Sequence, residues 1–84
     1  SAFGQAPVIQ QVDKEIAAPG EKIILSGSGF GSGTSNKAVF FGAAEGAILE
    51  VTDRLIEVRV PAGATFDAIT FINTATGLKV QTPH

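Results

Sequence analysis

The run Ile23-Ile24-Leu25-Ser26-Gly27-Ser28-Gly29-Phe30-Gly31 constrains this chain more than any other stretch. An apolar strand passes straight into a Gly/Ser turn that carries one aromatic. Ile23 and Leu25 share a face of the strand, because side chains alternate with a period of two. Glycines and serines at this density favour a turn over a continuing element. A lone phenylalanine among them is expected to fold the loop back and plug the core.

The same punctuation recurs along the chain. Pro7 to Val12 reads as an edge strand with Ile9 and Val12 inward, since proline suits a strand's start. Lys22 to Gly27, Ala38 to Phe41, Gly46 to Val51, Leu55 to Val60, Ala68 to Asn73 and Leu78 to Thr82 complete seven short strands. Ala18-Pro19-Gly20, Thr52-Asp53-Arg54, Pro61-Ala62-Gly63 and Asn73 to Gly77 read as turns. The weak alternation of Gly46 to Val51 predicts a bulge. No segment holds a helical period over three turns. Short alternating strands at this spacing predict an all-β sandwich. Its core is expected to hold Ile23, Leu25, Phe30, Phe41, Ile56, Val58, Val60, Ile69 and Phe71.

Length and charge narrow the function. Eighty-four residues make one domain with a thin core. Cysteine is absent, so no disulfide braces the sandwich. The net charge is −2, and the basic residues Lys14, Lys22, Lys37, Arg54, Arg59 and Lys79 are scattered. No basic stripe exists to neutralise phosphates, which argues against nucleic acid. No apolar run approaches the roughly 18 residues that insert in a membrane as a helix. The lack of methionine implies a piece or a processed product of a longer protein. Ala2-Phe3-Gly4 offers small residues at the −3 and −1 positions of a signal-peptidase cut before Gln5. Residues 1–6 are therefore read as a flexible start, 7–82 as the domain and 83–84 as a tail.

The ordered set of motifs resembles one family. It runs Pro7-x-Ile9, Pro19-Gly20, Ile23-x-Leu25-x-Gly27-x-Gly29-Phe30 and Val39-x-Phe41-Gly42. It continues with Thr52-Asp53, Ile56-x-Val58-x-Val60-Pro61-Ala62-Gly63 and Ile69-x-Phe71-x-Asn73. Over Pro7 to about Thr82 this is similar to the IPT/TIG domains. The resemblance implies an early-set immunoglobulin-like sandwich without an inter-sheet disulfide. It also implies a module of a larger protein, since such domains occur in cell-surface receptors, in transcription factors and beside bacterial extracellular domains. Two departures stand out: Gly42-Ala43 replaces the common Gly-Gly, and Gly46 replaces the usual alanine, which is expected to loosen that edge.

Chemistry-bearing residues are few. Gly27-Ser28-Gly29 follows a strand as a dinucleotide loop would, but Ser32 stands at the third glycine position and no helix follows. No cofactor is therefore expected. His84 is the sole histidine, and Ser26, Ser28, Ser32 and Ser35 have no base near them in sequence, so no catalytic residue is assigned and no enzyme expected. Glu45, Glu50, Asp53 and Glu57 read as a charged face and turns. Asp13 with Glu15, or Asp53 with Glu50, lacks the spacing of a dedicated calcium loop, and no metal site is assigned. Flat sugar sites rest on exposed Trp or Tyr, and this chain has neither. Phe40 and Phe66 are the candidate exposed rings, Phe66 the weaker glycan contact.

The surface feature that stands out is apolar. Phe40 and Ile72 sit on the outward phase of two strands that the resemblance implies share one sheet, with Leu49 expected to join from the adjacent edge. This face is the candidate interaction site. The reading is a non-catalytic module of a secreted or surface bacterial protein, acting as spacer, stabiliser or docking domain for neighbouring domains. A carbohydrate-binding accessory module, with polysaccharide as partner, is the alternative. A dimerising domain of the transcription-factor type is a further one, which the acidic charge disfavours.

Overall fold

The computed structural model describes residues 6–14, 16–66 and 68–82. Eight strands follow in order: β1 (Val8–Val12), β2 (Lys22–Ser28), β3 (Lys37–Phe41), β4 (Ala44–Glu45), β5 (Ala47–Val51), β6 (Leu55–Arg59), β7 (Ile69–Asn73) and β8 (Leu78–Gln81). They form two antiparallel four-stranded sheets, β1-β2-β6-β5 and β4-β3-β7-β8. This is the immunoglobulin-like order, with the short β4 added to the second sheet. Seven strands were expected; the eighth is two residues long, too short to carry a period.

Alternation sets the core. Ile23 and Leu25 of β2 stand opposite Val58 and Ile56 of β6. Val39 and Phe41 of β3 stand opposite Phe71 and Ile69 of β7. All nine side chains expected in the core are buried, and they include seven of the eight largest fully buried ones, Phe30, Phe41, Phe71, Ile23, Leu25, Ile56 and Val58; the eighth is Val39. Ala17 and Val51 join them. Burying a side chain of this size contributes about 1.5–3 kcal/mol. Ile9 and Val12 both pack on the core although three residues apart, because a register shift between Ile9 and Gln11 resets the alternation. The bulge expected in the fifth strand lies between Ile48 and Glu50, at Leu49.

Phe30 is the plug. Its ring is wholly buried and meets Phe71 edge-to-face, centroids 5.2 Å apart. Gly29 and Gly31 on either side have φ of 79° and 78°, a region L side chains enter at a cost. That pair turns the chain inward at Phe30 and out again. The loop is then tied to the β5–β6 turn. Gly27 N–H donates to Arg54 O at 2.9 Å, Phe30 N–H to Asp53 O at 3.2 Å and Gly33 N–H to Val51 O at 3.0 Å.

At Gly46 the chain leaves one sheet for the other. Its N–H still donates to Val39 O at 2.8 Å, while β5, which follows, pairs with β6. A Cβ here would meet Phe41 Cε1 and Val58 Cγ2 at 2.8 Å and Arg59 O at 3.0 Å. Gly46 therefore closes this edge instead of loosening it, because only a bare backbone fits between the two sheets.

Candidate functional site

The outer face of the β4-β3-β7-β8 sheet is set by the residues left over from the core. On β3 they are Ala38 and Phe40; on β7 they are Thr70 and Ile72. Phe40 is opposite Thr70, and Ala38 is opposite Ile72. Phe40 and Ile72 are therefore diagonal neighbours, within reach of each other across the strand pair. Both are half-buried. Ala38, on the same outward phase between them, is only 9% exposed and stands apart from the central core cluster.

Polar residues border this apolar centre. Glu45 of β4 stands opposite Phe40 on one side. Gln81 and Lys79 of β8 stand opposite Thr70 and Ile72 on the other. Gln81 Nε2 donates to Thr70 Oγ1 at 3.2 Å, linking β8 to β7 on this face. The face is an apolar stripe with an acid at one margin and a base at the other. Sequence reasoning named Phe40 and Ile72 but missed this frame; the signal was the outward phase of Glu45 and Lys79 once the strands are paired.

Leu49 does not join the stripe. It lies in the other sheet, at the β5 bulge, and is 41% exposed. The bulge turns it outward, and the strand's sheet assignment, which the sequence left open, separates it from Phe40. Phe66 is not a free ring either. It is half-buried against the core and meets Phe41 edge-to-face at 5.7 Å. Part of the surface a sugar would need is already taken.

The remaining candidates serve the backbone. Asp13 Oδ1 accepts from Ile24 N–H at 2.8 Å, and Asp53 Oδ1 accepts from Gly31 N–H at 3.2 Å. Each carboxylate extends a strand or ties a loop. Among the described residues no three His, Cys, Asp or Glu side chains converge. Glu15, His84 and the Ala2-Phe3-Gly4 tripeptide lie outside the described residues. The amides that a phosphate-binding loop would offer, those of Gly27, Phe30, Gly31 and Gly33, are engaged by the β5–β6 turn. Across the first sheet, Lys22 Nζ lies 3.8 Å from Glu57 Oε1 on the solvent side. Among the described residues no helix is long and apolar enough to cross a membrane.

Solved structures share this arrangement. One, from Bacteroides thetaiotaomicron VPI-5482, is provisionally named a phosphatase; it has a TM-score of 0.88 at 17% identity, over 95% of this chain and 17% of its own. A second, an auxiliary nutrient binding protein of the same organism, has a TM-score of 0.87 at 20% identity, over 96% of this chain and 20% of its own. A third, an auxiliary nutrient binding protein from Bacteroides ovatus ATCC 8483, has a TM-score of 0.84 at 13% identity, over 93% of this chain and 19% of its own. This chain thus spans no more than about a fifth of each, and at such identities the likeness is one of fold. No curated protein matches the sequence. The family model described as IPT/TIG domain matches residues 7–83, over the same strands that carry the motifs, and the chain belongs to the IPT/TIG domain family.

Proposed function

We propose that this domain is a non-catalytic module of a larger bacterial secreted or surface protein, where it spaces and docks neighbouring domains. The observation that carries the reading is the path of the chain. β1 enters beside the end of β2, Val8 opposite Ser28. The chain leaves beside the start of β7, where Thr82 N–H donates to Ile69 O at 2.9 Å. Those two points lie at opposite poles of the sandwich. A module threaded from pole to pole holds its neighbours apart in series. The likeness to folds that occupy about a fifth of longer chains, two of them auxiliary nutrient binding proteins, supports this reading.

Docking is assigned to the Phe40–Ile72 face, with a neighbouring domain of the same polypeptide as its occupant. The stripe is a few side chains wide, well short of the roughly 1,200 Å² of a self-sufficient interface. A tethered neighbour, held at high effective concentration, needs no more than that. Phe40→Ser with Ile72→Thr is expected to leave the isolated domain folded and to alter the domain arrangement of the longer protein in small-angle scattering. An unchanged scattering profile would sink the docking role. The carbohydrate-binding alternative is tested by titrating plant and bacterial glycans into the labelled domain. No saturable amide shifts at Phe40 or Phe66 are expected. Shifts that saturate there would replace the spacer reading with a sugar-binding one.

A further inference from the structure

Four strands form the edges of the two sheets, and three of them are interrupted, cut short or entered through a proline, each of which discourages pairing. β1 follows Pro7 and is broken by the shift between Ile9 and Gln11. β4 is two residues long. β5 is bulged at Leu49. β8 is guarded only by the charge of Lys79; it has no bulge and no proline within it, and its four residues pair with β7 in unbroken register.

The register also says which groups β8 leaves outward. Thr82 N–H donates to Ile69 O. In an antiparallel ladder the bonded pairs alternate, so Leu78 and Val80 also bond to β7. Lys79 and Gln81 then turn their N–H and C=O away from the sheet. Among the described residues no turn or loop hydrogen bond takes these four groups. Leu78 and Val80 are meanwhile half-buried, Val80 against the core, so the flank beside this edge is apolar.

We propose that β8 pairs with β8 of a second copy of this chain, antiparallel about a two-fold axis at Val80. In that register Lys79 faces Gln81 of the second copy, and Gln81 faces its Lys79. Both are outward-bonding residues, so four hydrogen bonds form and every outward group of both Lys79 and Gln81 is used. A shift of two residues in one direction would set Lys79 against Lys79, which like charge disfavours. Val80 meets Val80 at the non-bonded pair, where side chains approach closest, and the half-buried flank is covered. The two β4-β3-β7-β8 sheets become one. This edge contact belongs to the weak class, below about 1,200 Å². It covers neither Phe40 nor Ile72, although Lys79 and Gln81, which border that face, take part in it.

The test follows amide spectra and hydrogen exchange of the labelled chain as its concentration rises. Shifts centred on Lys79, Val80 and Gln81 are expected, with exchange at the Lys79 and Gln81 amides slowing on association. Two exposed substitutions then read the register through charge. Gln81→Lys sets lysine against lysine twice and weakens association. Gln81→Glu sets glutamate against lysine twice and strengthens it. Each effect is roughly two- to thirtyfold in the association constant. Concentration-independent spectra would overturn the proposal, as would shifts centred on Phe40 and Ile72. Charge variants that move association in the same direction would exclude this register.

Discussion

Each pole of the sandwich is closed by a phenylalanine from a loop, and the two are held very differently. At the pole where the chain enters, Phe30 is fully buried, flanked by left-handed glycines, and its loop is bonded to Asp53, Arg54 and Val51. At the pole where it leaves, Phe66 is half-buried, and its ring leans edge-to-face on Phe41. The entry pole fixes its ring by backbone geometry and hydrogen bonds. The exit pole ties its loop by two backbone bonds, Thr65 N–H to Phe41 O and Gly42 N–H to Ala68 O, both 3.2 Å, but the Phe66 ring itself rests on side-chain packing. A ring placed by backbone is part of the core, whereas a ring placed by packing sits at its margin and keeps some surface open.

The contrast can be broken most strongly at Phe30. Phe30→Ala is expected to destabilise by about 3–5 kcal/mol, the range for a buried aromatic. Denaturant titration measures it, and a loss below about 1 kcal/mol would remove the plug. Gly46→Ala, at the exit pole, forces a methyl against Phe41, Val58 and the Arg59 carbonyl. A cost of about 1–3 kcal/mol is expected from overpacking, read as a lower melting temperature. A neutral or stabilising result would show that the crossover relaxes readily and that the exit pole is the softer of the two.

Phe66→Ala should cost only about 1–2 kcal/mol, since a half-buried ring contributes part of a full burial. If it matches Phe30→Ala, the poles are equivalent and the distinction fails. Asp53→Ala removes the acceptor of the Gly31 N–H while the backbone bond to Phe30 remains. About 1 kcal/mol is expected, together with faster hydrogen exchange at Gly31. The smallest effect belongs to neither pole. Lys22→Ala breaks an exposed ion pair with Glu57 and should change stability by about 0.2–1 kcal/mol, less at high salt.

Much of this was legible in the residues. Alternation at Ile23 and Leu25, at Ile56, Val58 and Val60, and at Ile69 and Phe71 names the inward faces, because a period of two is a local property of the backbone. The glycines around Phe30 announce an inward turn for the same reason. The outward phase of Phe40 and Ile72 is equally local. Pairing was not local, and there the reading slipped. Leu49 has the exposure of a surface residue but belongs to the opposite sheet. Phe66 lies between strands, with no periodicity to assign its ring, and only the proximity of Phe41 shows where it rests.

The sequence by itself determined the strands, the inward residues, the absence of a helix-borne or thiol chemistry, and the family to which the ordered motifs belong. Each follows from short-range rules of alternation, turn geometry and side-chain inventory. Tertiary structure alone decided which strands share a sheet, that Gly46 is the crossing point between them, and that β8 is the edge whose register runs unbroken. Those outcomes depend on pairing between residues far apart in the chain, and no local pattern encodes the register in which distant strands meet.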